Sequence, residues 1–235
     1  MKADNLVIGG MAAFSTVDYP QHLAATLFLQ GCPWRCHYCH NPHLIPAYPG
    51  RDPVTWQQVR QHLDNRRGLL DAVIFSGGEP TIQKALLPAL QETRAMGFHN
   101  GLHTGAPNLR RLRPLLPWLD WVGLDIKALP SGYEAVTTRR QSGPDSWAAI
   151  DTLQAAAVDF ECRLTWHGAL HATEDVIAIG EALSRKGVRR FALQLAREGG
   201  TMLNPALLTA TNRRRDTDLV RQALSPCFES LEVRE

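Results

Sequence analysis

The chain has 235 residues, of which 44% are hydrophobic and 20% charged; it can bury one sizeable core and is neither a disordered tail nor a disulfide miniprotein. Lysine and arginine number 25 against 23 aspartates and glutamates, a formal charge of +2, too balanced for nucleic acid to be the main partner. The N-terminal stretch lacks a basic region leading into an apolar run, and nowhere do about eighteen apolar residues follow one another as a membrane span requires. A cytoplasmic protein with one domain over residues 1–235, bound to neither membrane nor nucleic acid, is expected.

In chain order, short apolar runs at 24–30, 72–78, 99–104 and 121–127 read as strands, separated by helical patterns at 55–67 and 81–96. The second half continues with a helix at 146–158, a strand at 160–167, a helix at 174–186, a strand at 189–196 and a closing helix at 218–225. This alternation predicts an α/β fold of about six βα units, parallel strands with outer helices, short of the eight that close a full barrel. Thr55 with Gln58 forms a capping-box pattern, and Thr81, Thr173 and Thr217 stand where helix caps are wanted. Gly97 and Gly187 follow two of the helical runs as stop signals. In a parallel α/β fold, functional groups gather beyond the C-terminal ends of the strands, and the chemistry-bearing residues fall there.

After the first of these strands, Cys32, Cys36 and Cys39 form C-x-x-x-C-x-x-C. Three thiolates crowded together in a reducing compartment suggest a metal group. A 4Fe-4S cube held by three cysteines leaves one iron open to another ligand; a closed zinc site completed by His37, His40 or His43 is the rival reading. Cys162 and Cys227 stand far apart and read as packing residues. Beyond the second strand, Gly77 and Gly78 allow close backbone approach to a ligand and Glu79 suits an ammonium group. The plainer reading is a tight strand-to-helix turn with Pro80 and Thr81 opening the next helix. Asp125 and Lys127 lie two apart, so on a continuing strand they share a face, where they either pair with each other or bind a zwitterion. Arg163, His167 and Gln194 fall near the ends of later strands and read as ligand contacts or as core and rim residues. The runs Arg110, Arg111, Arg113 and Arg213, Arg214, Arg215 read as solvated faces.

The cysteine motif with Tyr38 before its last cysteine, followed by SGGEP, resembles the radical S-adenosylmethionine enzymes. His40-Asn41-Pro42 after the cluster loop, with the stretches FSTVDYPQHLAATLFLQGCPWRC, LDIKALPSGYEAVT and FECRLTWHGALHATED, is similar to activating enzymes of glycyl-radical proteins, most of all the anaerobic ribonucleoside-triphosphate reductase activating group. The resemblance implies a partial (β/α)6 TIM-like barrel in which Cys32, Cys36 and Cys39 hold a 4Fe-4S cluster whose open iron chelates S-adenosylmethionine. It also implies that Tyr38 and its neighbour His40 touch the adenine, that Gly77, Gly78 and Glu79 hold the methionine amino end, and that Asp125 and Lys127 fix the cofactor, with Thr104 and His167 as further contacts. One electron from the cluster would break a carbon–sulfur bond, and the resulting radical would take a hydrogen from a glycine of the partner, anaerobic ribonucleotide reductase. Flavodoxin or ferredoxin would supply that electron, because the chain has no insert with cysteines for a second cluster. The stretch His103-Thr104-Gly105 is one residue shorter than the ribose-contacting loop of the family. A similar enzyme acting on a small molecule, of the 7-carboxy-7-deazaguanine synthase kind, is the competing reading; it usually carries a different pair where His40-Asn41 stands here.

Overall fold

Residues 1–48, 50, 53–196 and 214–234 are described in the computed structural model. The first strand, β1 (Ile8–Ser15), was not expected from the sequence, and it runs antiparallel to β2 (Ala24–Leu29). From there β3 (Ala72–Gly77), β4 (His99–Thr104), β5 (Trp121–Asp125), β6 (Asp159–Trp166), β7 (Arg190–Leu195) and β8 (Ser230–Arg234) add in chain order, each parallel to the one before. The sheet therefore has eight strands, where six were expected. The six apolar runs are β2 to β7; the additions are edge strands, one rich in small residues and the other five residues long at the end of the chain. Parallel neighbours need crossovers, and most of these are helical. The helices are α1 (Trp56–Asp64), α2 (Leu86–Ala95), α3 (Leu109–Leu112), α4 (Tyr133–Thr137), α5 (Gly143–Ala155), α6 (Thr173–Arg185) and α7 (Arg214–Leu224).

Strand alternation separates two faces. Leu27, Phe75, Leu102, Val122, Leu124, Cys162 and Leu164 belong to one buried cluster with Val59, Leu90, Ile150 and Ile179 of the helices. Each such side chain, fully buried, contributes about 1.5–3 kcal/mol, so this layer dominates the stabilisation. Cys162 is a packing residue within it, and Cys227 packs against its border. The opposite, concave face holds a second small cluster of Tyr19, Ala24, Ala72, Ile74 and Trp121 at the N-terminal ends of the strands. Tyr19, from the β1–β2 connection, stacks on Trp121 with ring centroids 5.1 Å apart. That connection plugs one end of the barrel, and the polar residues of the concave face lie toward the other end.

Local signals act as the sequence suggests at several points. Thr55 accepts from the Gln58 N–H (3.2 Å), and Gln58 Oε1 accepts from the Thr55 N–H (2.8 Å). Gly97 and Gly187 end α2 and α6 with φ of +94° and +76°. Three expected caps differ. Thr81 lies inside a single 3-10 turn whose N-cap is Glu79. Thr173 is the first helical residue of α6, and it is Asp175 that reaches back to the Ala172 N–H (2.9 Å). Thr217 lies within α7. Of the second arginine run, Arg213 falls outside the described residues.

Open space surrounds Gly97, so Gly97→Ala meets only the cost of a left-handed backbone, about 1 kcal/mol. Urea unfolding of this variant is expected to show a lower midpoint with an unchanged slope; an unchanged midpoint would contradict the assignment.

Candidate functional site

The loop after β2 carries the cysteines and is shaped by backbone hydrogen bonds. Gly31 N–H donates to the Leu44 carbonyl (2.7 Å) and Cys32 N–H to that of Ile45 (3.1 Å), closing the loop at its base. Its outer side is tied to the end of α4, with Arg35 N–H on the Thr137 carbonyl (3.0 Å) and His37 N–H on that of Val136 (3.2 Å). A turn from Cys36 O to Cys39 N–H (3.0 Å) brings the second and third thiols round. All three are free and half-buried. Burial pushes the Cys32 thiol up to about 12 and raises those of Cys36 and Cys39. Binding of a metal group must therefore displace protons.

The loop after β3 lies directly against this one. Gly78 N–H donates to the Leu29 carbonyl and Glu79 N–H to that of Gly31, both at 2.8 Å. Gly77 has φ of +118°, and a Cβ there would fall on the Leu29 backbone; one on Gly78 would fall on the Gly31 carbonyl. The glycine pair thus serves the approach of one loop to the other, beyond its expected approach to a ligand, although both glycines also line the cavity. Glu79 is 2% exposed, and its carboxylate is occupied within the protein. Oε1 accepts from the Thr81 N–H (3.1 Å), the Thr81 hydroxyl (2.5 Å) and the Thr104 hydroxyl (2.7 Å); Oε2 accepts from the Gly105 N–H (3.0 Å). Burial raises its pKa against the pull of these donors. Oε2, with one donor, keeps acceptor capacity for another. Thr104, the expected further contact, is itself the strut between Glu79 and the Ala106 N–H (2.8 Å).

The ends of β5 and β6 supply charge. Asp125 meets Arg163 through Nη2 (2.9 Å) and Nε (3.0 Å), and Lys127 more distantly (3.6 Å). The pairing of Asp125 with Lys127 is therefore secondary to an arginine 38 positions away in sequence. Gly123 makes room for that guanidinium, since a Cβ there would meet it at 2.7 Å. Burial alone would lift the Asp125 carboxyl, but Arg163 and Lys127 beside it hold it below the usual range. Burial likewise opposes the charge on Lys127, yet Tyr38 and Asp125 keep its pKa well above the usual value. The Lys127 ammonium lies over the rings of Trp34 (5.6 Å) and Tyr38 (5.7 Å), a favourable cation–π placement. His103 binds the Asp18 carbonyl (2.8 Å) and the Ser76 hydroxyl (3.2 Å). Burial and the nearby Arg163 lower it to about 3, so it is neutral.

These groups line one cavity of about 220 Å³ at the C-terminal ends of the strands, together with His40, Thr165 and Gln194. His167 does not line it: its Nδ1 accepts from the Ala169 N–H (3.2 Å), and its carbonyl accepts from Leu170 and His171. His171, which sequence reasoning missed, does not line the cavity either but packs behind its wall, with Nε2 on the Lys127 carbonyl (2.7 Å) and its ring 6.4 Å from that of Tyr38. Trp34 was also missed, although it stands between Cys32 and Cys36, where a buried aromatic could have been suspected.

The side chains suit the expected groups. Among the described residues no three His, Cys, Asp or Glu side chains converge on a single ion position, whereas a cubane offers each thiolate its own iron. Tyr38 lines the cavity, and its buried hydroxyl has no hydrogen-bond partner among the described residues, a polar group left to be satisfied. Because Glu79 satisfies four buried donor bonds, Glu79→Ala is expected to lower unfolding stability by at least ~2 kcal/mol, and Glu79→Gln by less. Equal stability of Glu79→Ala and the parent in urea would refute this role.

The Radical SAM superfamily model matches residues 26–177. A provisionally named glycyl-radical enzyme activating enzyme of Methanocaldococcus jannaschii is 27% identical over 195 residues, 80% of this chain and 79% of that one. The pyruvate formate-lyase-activating enzyme of Clostridium pasteurianum is 30% identical over 146 residues, 60% of each chain. The crystal structure of Streptococcus suis SuiB bound to S-adenosylmethionine matches with a TM-score of 0.64 at 13% identity, over 86% of this chain and 47% of that one. The chain thus spans 60% of the second relative and about half of SuiB. Among the described residues no helix is long and apolar enough to cross a membrane. The chain belongs to the radical SAM superfamily, whose enzymes use a 4Fe-4S cluster and S-adenosylmethionine.

Proposed function

We propose that this chain is a glycyl-radical enzyme activase acting in the cytoplasm as one domain. The observation that carries the reading is that Cys32, Cys36 and Cys39 share one cavity with Gly77, Glu79, Asp125 and Lys127. When bound, the cluster and S-adenosylmethionine supply an electron and a carbon-centred radical that can take a hydrogen atom from a glycine of a partner protein. The three thiolates hold the irons. The spare acceptor site on Glu79 Oε2 receives the cofactor ammonium, and Lys127 with Arg163 answers its carboxylate. Tyr38 and Trp34, both 4% exposed, keep water from the reacting atoms, and His40 with Thr104 borders the adenosine.

For the partner, the similarity of sequence stretches noted above favours anaerobic ribonucleoside-triphosphate reductase. The relatives named as pyruvate formate-lyase-activating enzymes favour pyruvate formate-lyase as the alternative. Electron paramagnetic resonance of the reduced, reconstituted protein with S-adenosylmethionine and each of these two enzymes in turn distinguishes them. A glycyl-type doublet with the ribonucleotide reductase is expected; a doublet only with pyruvate formate-lyase reassigns the partner. Absence of a doublet with either, despite cofactor cleavage, would favour a small-molecule substrate and contradict the activase reading.

Cys36→Ala is expected to fold and yet to lose cleavage of S-adenosylmethionine by at least a hundredfold, an order of magnitude set by losing an iron ligand. Full cleavage by a cluster-containing preparation of that variant would contradict the ligand assignment.

A further inference from the structure

Exposed arginines gather at the cavity end of the barrel although the chain as a whole is nearly neutral. Arg35 projects from the cysteine loop, Arg110 and Arg111 from the start of α3, and Arg139 and Arg140 from the turn between α4 and α5. These segments touch one another. Arg35 N–H donates to the Thr137 carbonyl (3.0 Å) and the Thr138 hydroxyl to that of Arg35 (3.5 Å), while Ser146 of α5 donates to the Gly105 carbonyl (2.6 Å) and Leu109 N–H to Asp145 (3.2 Å). The guanidiniums of Arg35 and Arg111 contact carbonyls, those of Cys32 and Ile82. Among the described residues only Arg140 of these five meets an acid, Glu134 at 3.3 Å, and an exposed pair of that kind contributes little. At the opposite end of the strands ion pairs are more frequent: Asp120 holds Arg94 (2.8 Å) and Asp159 holds Arg190, although Arg66 there contacts only a carbonyl.

We propose that this arginine rim is the docking surface for an acidic one-electron carrier protein. The inference rests on the reading that Cys32, Cys36 and Cys39 hold a cluster that must be reduced. One electron leaves the carrier's flavin or iron–sulfur centre, which is oxidised, and enters the cluster, which is reduced; no bond forms or breaks and no proton is transferred. Position selects this occupant over the glycine-bearing partner. Arg35 stands between two thiols on the outer side of their loop, and neither it nor Arg139 or Arg140 lines the cavity that a glycine must enter. Redox encounters use small, transient interfaces, in which charge complementarity sets the association rate more than the affinity. A rim of exposed guanidiniums, one of the five paired with an acid among the described residues, beside a half-buried thiol loop suits that regime.

The test compares S-adenosylmethionine cleavage by the reconstituted holoenzyme driven either by reduced flavodoxin, an acidic flavoprotein, or by dithionite. The variants are Arg139→Glu/Arg140→Glu and, separately, Arg110→Glu. At low ionic strength the flavodoxin-driven rate is expected to fall about tenfold or more in the double variant, with the dithionite-driven rate unchanged, which also shows that the variant is folded. In the parent, the flavodoxin-driven rate should decline as salt shortens the screening length to about 8 Å at 0.15 M. Flavodoxin-driven rates equal to the parent's in both variants would overturn the proposal. So would variants that cleave the cofactor normally with dithionite but no longer form a radical on the partner, since the rim would then bind that protein. No dithionite-driven cleavage by the parent would instead defeat the cluster reading itself and remove the electron acceptor.

Discussion

The site depends on two strand-end loops packed backbone against backbone. The Gly78 and Glu79 amides bind the Leu29 and Gly31 carbonyls at 2.8 Å, a separation that no side chain at 77 or 78 would permit. Because the cysteines begin at the next residue, their position follows from this contact. Glu79 then carries the constraint onward. Its carboxylate is tied to Thr81 on its own loop and to Thr104 and Gly105 after β4, so three consecutive strand ends are fixed relative to one another. Burying that carboxylate without a cation is costly unless its lone pairs are filled, and four protein donor bonds fill most of them. Positioning and ligand binding thus fall on the two oxygens of one side chain.

The second feature is the balance of buried charge. Asp125, Arg163 and Lys127 together carry one positive charge, which the Glu79 carboxylate, held by neutral donors, offsets on another wall of the same cavity. Lys127 avoids full desolvation by resting on the faces of Trp34 and Tyr38, which places it close to the thiol loop. Neutral His103 adds no charge and instead ties the β1–β2 plug to the β4 end of the wall. A site preorganised in this way spends little on reorientation when a zwitterionic, cationic cofactor binds.

Much of this was legible from residue order. Of the six strands β2 to β7, β2 and β3 stand out as nearly continuous apolar, buried runs, whereas β4, β6 and β7 mix polar residues in and were legible mainly from their alternation with helical patterns; the Thr55–Gln58 box is purely local. The edge strands escaped notice, since β1 contains Gly9 and Gly10 and β8 is short. The three cysteines, Gly77 to Glu79 and the Asp125–Lys127 pair were visible as motifs. The bond between Asp125 and Arg163, the four-donor cradle of Glu79 and the packing of His171 behind the cavity wall were not, because each depends on side chains brought together by strand register and not by spacing along the chain. His167 was favoured for its place just past β6; the chain turns there, and the ring four residues later faces Tyr38.

The central claim is that the thiol loop holds a cube with one iron open to S-adenosylmethionine. Mössbauer spectroscopy of anaerobically reconstituted, iron-57-labelled protein, with iron and sulfide quantified on the same sample, tests it most directly. Iron and sulfide in equal amounts, with one iron of the cube changing its signal when S-adenosylmethionine is added, is the expected result. Zinc bound at one ion per chain without sulfide, or a cube in which no iron responds to the cofactor, would contradict it.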